Sequence, residues 1–390
     1  MENFEFFIPT RVVLGKNIEE KVAEFISLYG KKVLLHYGSN FTKKSGLIDK
    51  IGSYLKEAGI EYIEFGGVQS NPRVSLVRKG IKICRENNVE FILAVGGGSV
   101  IDSAKAIGIG IPYEGDVWDF YEGKAKVEES IPTGAIVTIP SAGSEASIST
   151  VITNEDGWYK KSIYHECICP KFALLNPELT VSLPSFQTSC GIADIMSHVM
   201  ENYFTSVENA DFTDRLCEAT LKAVIRSGRI VKEEPENYDA RAEIMWTGTF
   251  AQMGVLNTGR RGDWASHQIE HELSGIYDVA HGAGMAVVFP AWMKYVYKKN
   301  LKRFVQFATR VWDVDTGMYN SDEKVALEGI NRLSCFFKEI GLPVNLMDLQ
   351  IGADRFGEMA NKATDDSVIG ELEKLSCKDV INILELAYKS

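Results

Sequence analysis

The chain has 390 residues, of which 45% are hydrophobic and 24% charged, and it carries a formal net charge of −11 at pH 7. This length exceeds the roughly 100–200 residues of a typical domain, so two domains are expected. The acidic balance argues against a nucleic-acid or anionic-membrane partner, because either would favour a basic face. No apolar run approaches the about 20 residues that cross a bilayer, and the first residues do not have the pattern of a secretory signal.

Seven cysteines are scattered along the chain, and only Cys167 and Cys169 are close together. Their C-x-C spacing differs from the C-x-x-C spacing of a redox motif or a zinc knuckle. We therefore expect free thiols in a reducing cytoplasm.

The first half of the chain alternates short β-rich runs with segments of helical spacing. The predicted strands cover residues 31–37, 60–65, 91–95, 134–140 and 172–176, and the predicted helices cover residues 43–59, 73–88 and 99–110. This alternation predicts a parallel sheet with helical crossovers. The strand runs are almost continuously apolar, as expected for strands that are buried on both faces.

The second half of the chain has a different character, because strand-like runs disappear after residue 185 and long helical patterns follow. The sequence therefore predicts an α/β N-terminal domain over residues 1–185 and an all-helical C-terminal domain over residues 186–390.

The segment FILAVGGGSVIDSAKAIG, residues 91–108, reads as a strand, a glycine turn and a helix. Gly97 and Gly98 allow the backbone to turn tightly and to approach a ligand closely. Ser99 is placed to begin a helix whose free N–H groups favour a phosphate. The run is not G-x-G-x-x-G, so a tight turn without a ligand is the alternative.

A second loop of small polar residues, TIPSAGSEAS, follows a later predicted strand at residues 138–147. Thr138, Ser141 and Ser147 offer hydroxyl groups there. Both loops stand at the carboxyl ends of predicted parallel strands, where open α/β sheets bind ligands. The two loops together predict a nucleotide or dinucleotide site in the first half.

Three of the six histidines fall within HQIEHELSGIYDVAHG, residues 267–282. His267 and His271 are four residues apart in a helical pattern, so they share one face, and Asp194 and His198 repeat that spacing on an earlier helix. His281 follows in a turn. One carboxylate with several imidazoles suits iron or zinc. Core histidines that bind no metal are the alternative reading.

Together these segments resemble the iron-containing (group III) alcohol dehydrogenases, and among them the butanol dehydrogenase and broad aldehyde reductase branch. The resemblance covers nearly the whole chain and includes FEFFIPTRVVLGK, LAVGGGSVIDSAK, TIPSAGSE, GIADIMSHVMENY and DWASHQIEHELSGIYDVAHG. It implies a dehydroquinate synthase-like architecture, in which a Rossmann-like domain that binds a nicotinamide cofactor is followed by an all-α metal-binding domain. It also implies an active site in the cleft between the domains and a homodimer that pairs through the first residues.

The resemblance implies a role for individual residues as well. Asp194, His198, His267 and His281 fall on the metal-ligand positions of the family, and His271 falls on a histidine that lines the site without binding metal and relays a proton. The cofactor contacts that it implies are Gly38, Ser39, Asn71, Gly97, Gly98, Ser99, Asp102, Thr138, Ser141, Ser147 and Lys160.

The loop HYGSNFTKK bears on the choice of cofactor. Ser39 and Asn40 stand where NAD-preferring relatives often carry an aspartate that hydrogen-bonds the ribose 2′-hydroxyl. Lys43 and Lys44 lie nearby. With no carboxylate to repel a 2′-phosphate and two amines to attract it, this loop favours NADP(H) over NAD(H).

The expected activity is reversible hydride transfer between NAD(P)(H) and small aliphatic alcohols or aldehydes, such as butanol and butyraldehyde. Fe²⁺ or Zn²⁺ would act as the Lewis acid. Trp246, Met253 and Trp264 are candidates for an apolar substrate pocket, with helix core as the alternative. A dehydroquinate-synthase-like lyase, a glycerol dehydrogenase and a non-catalytic metal-binding protein are the competing interpretations.

Overall fold

The computed structural model describes residues 1–38 and 40–389. The chain divides into two compact units, Phe7–Leu183 and Pro184–Ser390, and Met1–Phe6 groups with the second unit. Each unit has a hydrophobic core of its own.

The unit Phe7–Leu183 is an α/β structure. Its strands are β1 (Arg11–Leu14), β2 (Lys32–Tyr37), β3 (Glu61–Phe65), β4 (Phe91–Gly96), β5 (Thr133–Val137), β6 (Ser149–Asn154), β7 (Tyr159–Tyr164) and β8 (Phe172–Leu175). Its α-helices are α1 (Val22–Ile26), α2 (Asn40–Lys44), α3 (Leu47–Glu57), α4 (Val74–Asn87), α5 (Gly98–Gly110) and α6 (Trp118–Tyr121). Six strands form one sheet in the order β1-β8-β5-β4-β2-β3, and β6 and β7 form a separate hairpin.

All pairings in the six-stranded sheet are parallel, which confirms the predicted sheet with helical crossovers. Every residue of β4, β5 and β8 is buried, as their continuous apolar runs predicted. The chain runs from β2 outward to β3, then returns to β4 and continues through β5 toward the opposite edge. The strand order therefore reverses direction between β2 and β4, and such a switch point is where open α/β sheets bind ligands.

The unit that begins at Pro184 is built from helices, as predicted. They are α7 (Ser185–Tyr203), α8 (Asp211–Glu233), α9 (Tyr238–Gln252), α10 (Ala265–Tyr277), α11 (His281–Val296), α12 (Leu301–Arg310), α13 (Asp322–Glu339), α14 (Phe356–Thr364) and α15 (Cys377–Lys389). None of the described helices combines the length and the apolar character that a membrane-spanning helix needs.

Helices α7 and α11 form the centre of this unit. Helix α7 packs against α8, α9 and α11, and α10 packs against α11 and α14. Both central helices are buried along most of their length, so their apolar residues surround the axis instead of forming one stripe. The polar side chains that these helices carry inward are therefore held in dry surroundings.

Candidate metal centre and cofactor loops

Three helices of the second unit place a carboxylate and two imidazoles together. Asp194 on α7, His267 on α10 and His281 at the start of α11 each have one candidate ligand atom, and these atoms lie within 4.8 Å of one another. His198 lies one helical turn from Asp194, and its ring centroid is 4.8 Å from that of His267. The ligand atoms of three of the four predicted ligands thus converge, and the ring of His198 lies beside them.

The cluster is shielded from water to different degrees. The side chains of Asp194, His198 and His267 are almost completely buried, whereas the side chain of His281 is 22% exposed. Burial lowers the pKa of His198 well below its ordinary value, and the neighbouring imidazoles lower it further. His198 is therefore neutral at pH 7 and has a lone pair to offer to a metal.

Two buried carboxylates hold the rings of His267 and His281. His267 Nδ1 donates to Glu201 Oε1 at 2.7 Å, and His281 Nδ1 donates to Glu270 Oε2. Because an ionised carboxylate only accepts hydrogen bonds, each imidazole must carry its proton on Nδ1. The lone pair then lies on Nε2, and the buried Nε2 of His267 has no hydrogen-bond partner among the described residues.

The distance between His281 Nε2 and Asp194 Oδ1 tests whether these residues fit a metal. The two atoms are 3.5 Å apart, and with the proton on Nδ1 both are acceptors. Two facing acceptors repel each other unless a proton or a metal cation lies between them. Two ligand atoms at about 2.1 Å from a tetrahedral metal are about 3.4 Å apart. The donor set therefore fits one divalent ion, and both iron and zinc accept imidazole with carboxylate.

His271 shares α10 with His267 but is not one of the three residues whose ligand atoms converge. It is partly exposed, and its ring centroid is 5.8 Å from that of His281. The i, i+4 spacing correctly placed both histidines on one face of the helix. His271 thus borders the cluster on a side that solvent reaches.

The candidate pocket residues differ in their positions. The ring of Trp264 packs edge-on against His267, with ring centroids 5.2 Å apart, and lies 6.0 Å from the ring of His198. Trp246 on α9 is 41% exposed and contacts Phe250. Of these two tryptophans, Trp264 is therefore the one that packs against the histidines of the cluster.

His36 on β2 is an example of the alternative, a core histidine that binds no metal. It is completely buried, its Nδ1 donates to the carbonyl of Phe65 at 2.8 Å, and its Nε2 lies 2.9 Å from the Ser103 hydroxyl. Burial lowers its pKa to about 4. Both ring nitrogens are satisfied in the neutral form, so His36 has no lone pair left for a ligand.

In the α/β unit, the predicted cofactor residues begin where the strands end. Gly38 follows β2, Gly97 is the N-cap of α5 after β4, and Thr138 follows β5. These strands are neighbours in the order β5-β4-β2, and Gly38 and Gly97 flank the switch point. Ser99 lies in the first turn of α5, where free N–H groups and the helix dipole favour an anion.

The two loops that the sequence singled out pack against each other. A Cβ on Gly97 would lie 2.9 Å from Ile139 Cβ, and a Cβ on Gly98 would lie 2.9 Å from Ala142 Cβ. Any side chain at either glycine would push the loops apart. The close packing of Ile139 and Ala142 thus requires glycine at both positions, so the start of α5 carries no side chain there.

A buried polar network lies beneath these loops. Lys105 on α5 is fully buried and donates to the Ser144 hydroxyl at 2.9 Å and to the carbonyl of Ser147 at 2.8 Å. Asp102 accepts from the same Ser144 hydroxyl at 2.5 Å and from the N–H of Val151. The sequence alone did not identify Lys105 as important. Its hydrogen bonds to Ser144 and Ser147 hold the serine-rich loop against α5.

The other residues expected to contact the cofactor fall into two groups. Ser99, Thr138 and Ser141 are partly exposed at the loop edge. The buried ones are Asn71, Asp102, Ser147 and Lys160. Ser39 lies outside the described residues.

Sequence reasoning also missed Glu201 and Glu270. Each stands three residues after a histidine, in HVME at 198–201 and HQIE at 267–270. That repeated spacing was the available signal. The histidine that each carboxylate contacts lies on another helix, so spacing alone could not identify it.

Fold and site together define a class, the two-domain dehydrogenases that join a dinucleotide-type α/β unit to a helical metal unit. The family model for iron-containing alcohol dehydrogenase matches residues 9–177, and the model for the C-terminal part of the Fe-containing alcohol dehydrogenase family matches residues 188–388. The chain belongs to the iron-containing alcohol dehydrogenase family.

Individual relatives align over most or all of their length. The chain is 42% identical over 388 residues to a probable NADH-dependent butanol dehydrogenase of Bacillus subtilis, covering 99% of both chains. It is 35% identical over 354 residues to an NADPH-dependent aldehyde reductase of Escherichia coli, covering 89% of both. The crystal structure of an NADH-dependent butanol dehydrogenase from Thermotoga maritima superimposes with a TM-score of 0.96 at 37% identity, covering 100% of this chain and 99% of the other.

Proposed function

We propose that this protein is a metal-dependent alcohol dehydrogenase and aldehyde reductase, which transfers a hydride between NAD(P)(H) and small aliphatic alcohols or aldehydes such as butanol and butyraldehyde. The observation that carries this proposal is the convergence of ligand atoms from Asp194, His267 and His281, with the ring of His198 beside them. The names of the relatives, butanol dehydrogenase and aldehyde reductase, support the substrate class.

The helical unit would hold the metal and the reacting oxygen. Asp194, His198, His267 and His281 would bind one Fe²⁺ or Zn²⁺, which when bound supplies Lewis-acid polarisation of the alcohol or aldehyde oxygen. The chain provides dry surroundings for this chemistry, because most of the cluster is buried and Trp264 covers His198 and His267. Burial strengthens every electrostatic interaction within the site.

The α/β unit would hold the cofactor. Gly97, Gly98 and Ser99 would bind the pyrophosphate through the N-terminus of α5. The partly exposed hydroxyl groups of Thr138 and Ser141 would fix its orientation. A bound nicotinamide supplies the hydride for aldehyde reduction or accepts it in alcohol oxidation.

His271→Ala is expected to slow turnover about 10²–10⁴-fold while the protein keeps its metal. His271 borders the cluster and is partly exposed, so it can pass the hydroxyl proton to solvent. Steady-state rates at 340 nm together with the metal content of the purified variant check this. Loss of the metal would make His271 a ligand and contradict the relay role.

The cofactor preference is a finer proposal, and we propose NADP(H) over NAD(H). Residues 39–41, which follow β2 in the sequence, include no carboxylate, and the amines of Lys43 and Lys44 lie in α2. In the structure, Lys43 Nζ is 2.5 Å from Glu64 Oε2 on β3. One of the two amines is thus partly neutralised.

Glu64→Gln should release Lys43 and raise the ratio of the NADPH rate to the NADH rate by up to about fivefold, the upper end of what one exposed ion pair contributes. Lys43→Met should lower the same ratio. Rates with the two cofactors at equal concentration check both variants. A ratio that neither substitution changes would remove the Lys43–Glu64 pair from cofactor choice, and a wild-type ratio below one would contradict the preference for NADP(H).

Absorbance at 340 nm with butyraldehyde and NADPH or NADH tests the proposed activity itself. Oxidation of either cofactor is the expected result. A dehydroquinate-synthase-like lyase has no net cofactor use, and a non-catalytic metal-binding protein has none at all. A rate with glycerol and NAD⁺ that greatly exceeds the rate with butanol would favour a glycerol dehydrogenase.

We also propose that the protein works as a cytoplasmic homodimer. Residues 1–10, all of them described, form no helix or strand within the chain. Phe4 is 55% exposed and Phe7 is 68% exposed. An apolar first segment of this kind supports pairing with a second copy.

A further inference from the structure

The two buried glutamates near the metal cluster follow one repeated arrangement. Glu201 lies three residues after His198 on α7, and it contacts His267 on α10. Glu270 lies three residues after His267 on α10, and it contacts His281 on α11. Helices α7 and α10 therefore each carry a candidate ligand together with a carboxylate that hydrogen-bonds the candidate ligand of another helix.

Glu201 organises the whole start of α10. The residue is completely buried, and its Oε1 accepts hydrogen bonds from His267 Nδ1 at 2.7 Å, from the His267 N–H at 3.2 Å and from the Ser266 hydroxyl. Its Oε2 accepts from the Trp264 N–H at 2.6 Å. A carboxylate at the N-terminus of a helix is favoured by the dipole. The side chain of Glu201 thus fixes the ring of His267, the first turn of α10 and the backbone of Trp264.

Glu270 does the same for His281 from the middle of α10. It too is completely buried, and it accepts from His281 Nδ1 and from the Ser274 hydroxyl. The facing helix leaves room for it, because a Cβ on Gly284 would lie 2.5 Å from Glu270 Oε1. The position of this carboxylate therefore depends on the absence of a side chain at Gly284, three residues after His281 on α11.

These contacts leave little freedom to either imidazole. The proton sits on Nδ1, the ring plane is set by the carboxylate, and Nε2 faces the cluster. The buried Nε2 of His267 has no hydrogen-bond partner among the described residues, and His281 Nε2 faces Asp194. A negative charge behind each ring also makes the imidazole a stronger ligand.

We propose that Glu201 and Glu270 are positioning residues of the metal centre, which hold His267 and His281 in the tautomer and orientation that bind the ion and so set its affinity. The inference rests on the proposed function, since it assumes that the cluster binds a divalent metal.

The test is metal affinity, measured without nicotinamide or substrate. The metal-free proteins compete with a chromophoric chelator for Co²⁺, and the visible absorption of bound Co²⁺ reports the ligand geometry. Glu201→Gln and Glu270→Gln are each expected to weaken Co²⁺ binding about 10–100-fold and to change that spectrum. Glutamine keeps the size of the side chain and removes its charge.

Glu272→Gln is the matched control. Glu272 is a buried carboxylate on α10, the helix that carries Glu270, and its Oε2 lies 3.2 Å from Lys362 Nζ. This substitution should leave the Co²⁺ affinity and spectrum unchanged, even if it lowers the melting temperature. Far-UV circular dichroism confirms folding, and if Glu201→Gln does not fold, Glu270→Gln decides.

The results separate this inference from the proposed function. Co²⁺ affinity within about twofold of wild type in the folded variants would overturn the positioning role, even if the enzyme is a metal-dependent reductase, because outer-shell contacts of this kind normally change affinity by tenfold or more. Weakened binding in both variants, with no reductase activity in the wild type, would support the positioning role and overturn the proposed reaction. A wild-type protein that binds no Co²⁺ would overturn both.

Discussion

Replacing His267 with alanine is expected to leave the purified protein without a stoichiometric metal and to lower kcat/KM by about 10⁴-fold, the equivalent of roughly 5.5 kcal/mol. The ring of His267 is already oriented to bind a metal. Its Nδ1 donates to Glu201, and its buried Nε2 has no hydrogen-bond partner among the described residues. Its loss removes one ligand and leaves the charge of Glu201 buried beside a cavity. The remaining residues then hold the ion too weakly to keep it through purification.

Metal content by mass spectrometry and the rate at 340 nm, measured on the same preparation, check the result. His165→Ala is the matched control, because His165 lies in the α/β unit and its Nδ1 accepts from the N–H of Cys167 at 3.3 Å. The control should keep its metal and its activity. A His267→Ala protein that retains one tightly bound metal per chain would show that the assignment of ligands is wrong.

Gly282→Ala is the second substitution with a large expected effect. Helix α11 approaches α7 so closely that a Cβ on Gly282 would lie 1.9 Å from the carbonyl oxygen of Cys190 and 2.6 Å from its carbonyl carbon. The obstacle is backbone, so the helices must move apart, and His281 would shift with them away from Asp194. We expect a loss of about 3 kcal/mol or more in the free energy of unfolding and about a 100-fold loss of kcat/KM.

Gly357→Ala on α14 separates this steric effect from the general effect of replacing a helical glycine. Nothing lies within 4 Å of a Cβ at Gly357. Alanine should therefore be neutral or stabilise the protein by up to about 1 kcal/mol through helix propensity. Thermal unfolding and steady-state kinetics of the two variants give the comparison. Equal stability and activity would mean that the close approach at Gly282 is not needed.

Much of the fold follows from local patterns. The continuous apolar runs at β2, β4, β5 and β8 identified the buried strands, and their alternation with helices gave the parallel sheet. Strand β1 was not found from its pattern, because it has only four residues, two of them partly buried. The hairpin β6–β7 was missed because its strands are rich in polar residues that resemble a loop.

The candidate site shows where sequence reasoning stops. Helical spacing fixes which residues share a face, so it placed Asp194 beside His198 and His267 beside His271. It cannot tell which helices meet, since that depends on tertiary contacts such as the approach of Gly282 to Cys190. The roles of Glu201 and Glu270 are invisible for the same reason.

The prediction of cofactor choice from the sequence is limited in a similar way. Lys43 reads in the sequence as a free amine near the loop after β2. The ion pair with Glu64, which lies 21 residues further along the chain, becomes visible only when α2 and β3 are placed in the fold. The sequence therefore counts Lys43 as a free positive charge, although its ion pair with Glu64 reduces the charge that it offers to a 2′-phosphate.

The most direct test of the central claim is the oxidation of NADPH or NADH by butyraldehyde, followed at 340 nm before and after chelation and again after metal is added back. The proposed mechanism predicts that the rate disappears with the metal and returns with Fe²⁺ or Zn²⁺. An undiminished rate in protein shown to be free of metal would contradict it.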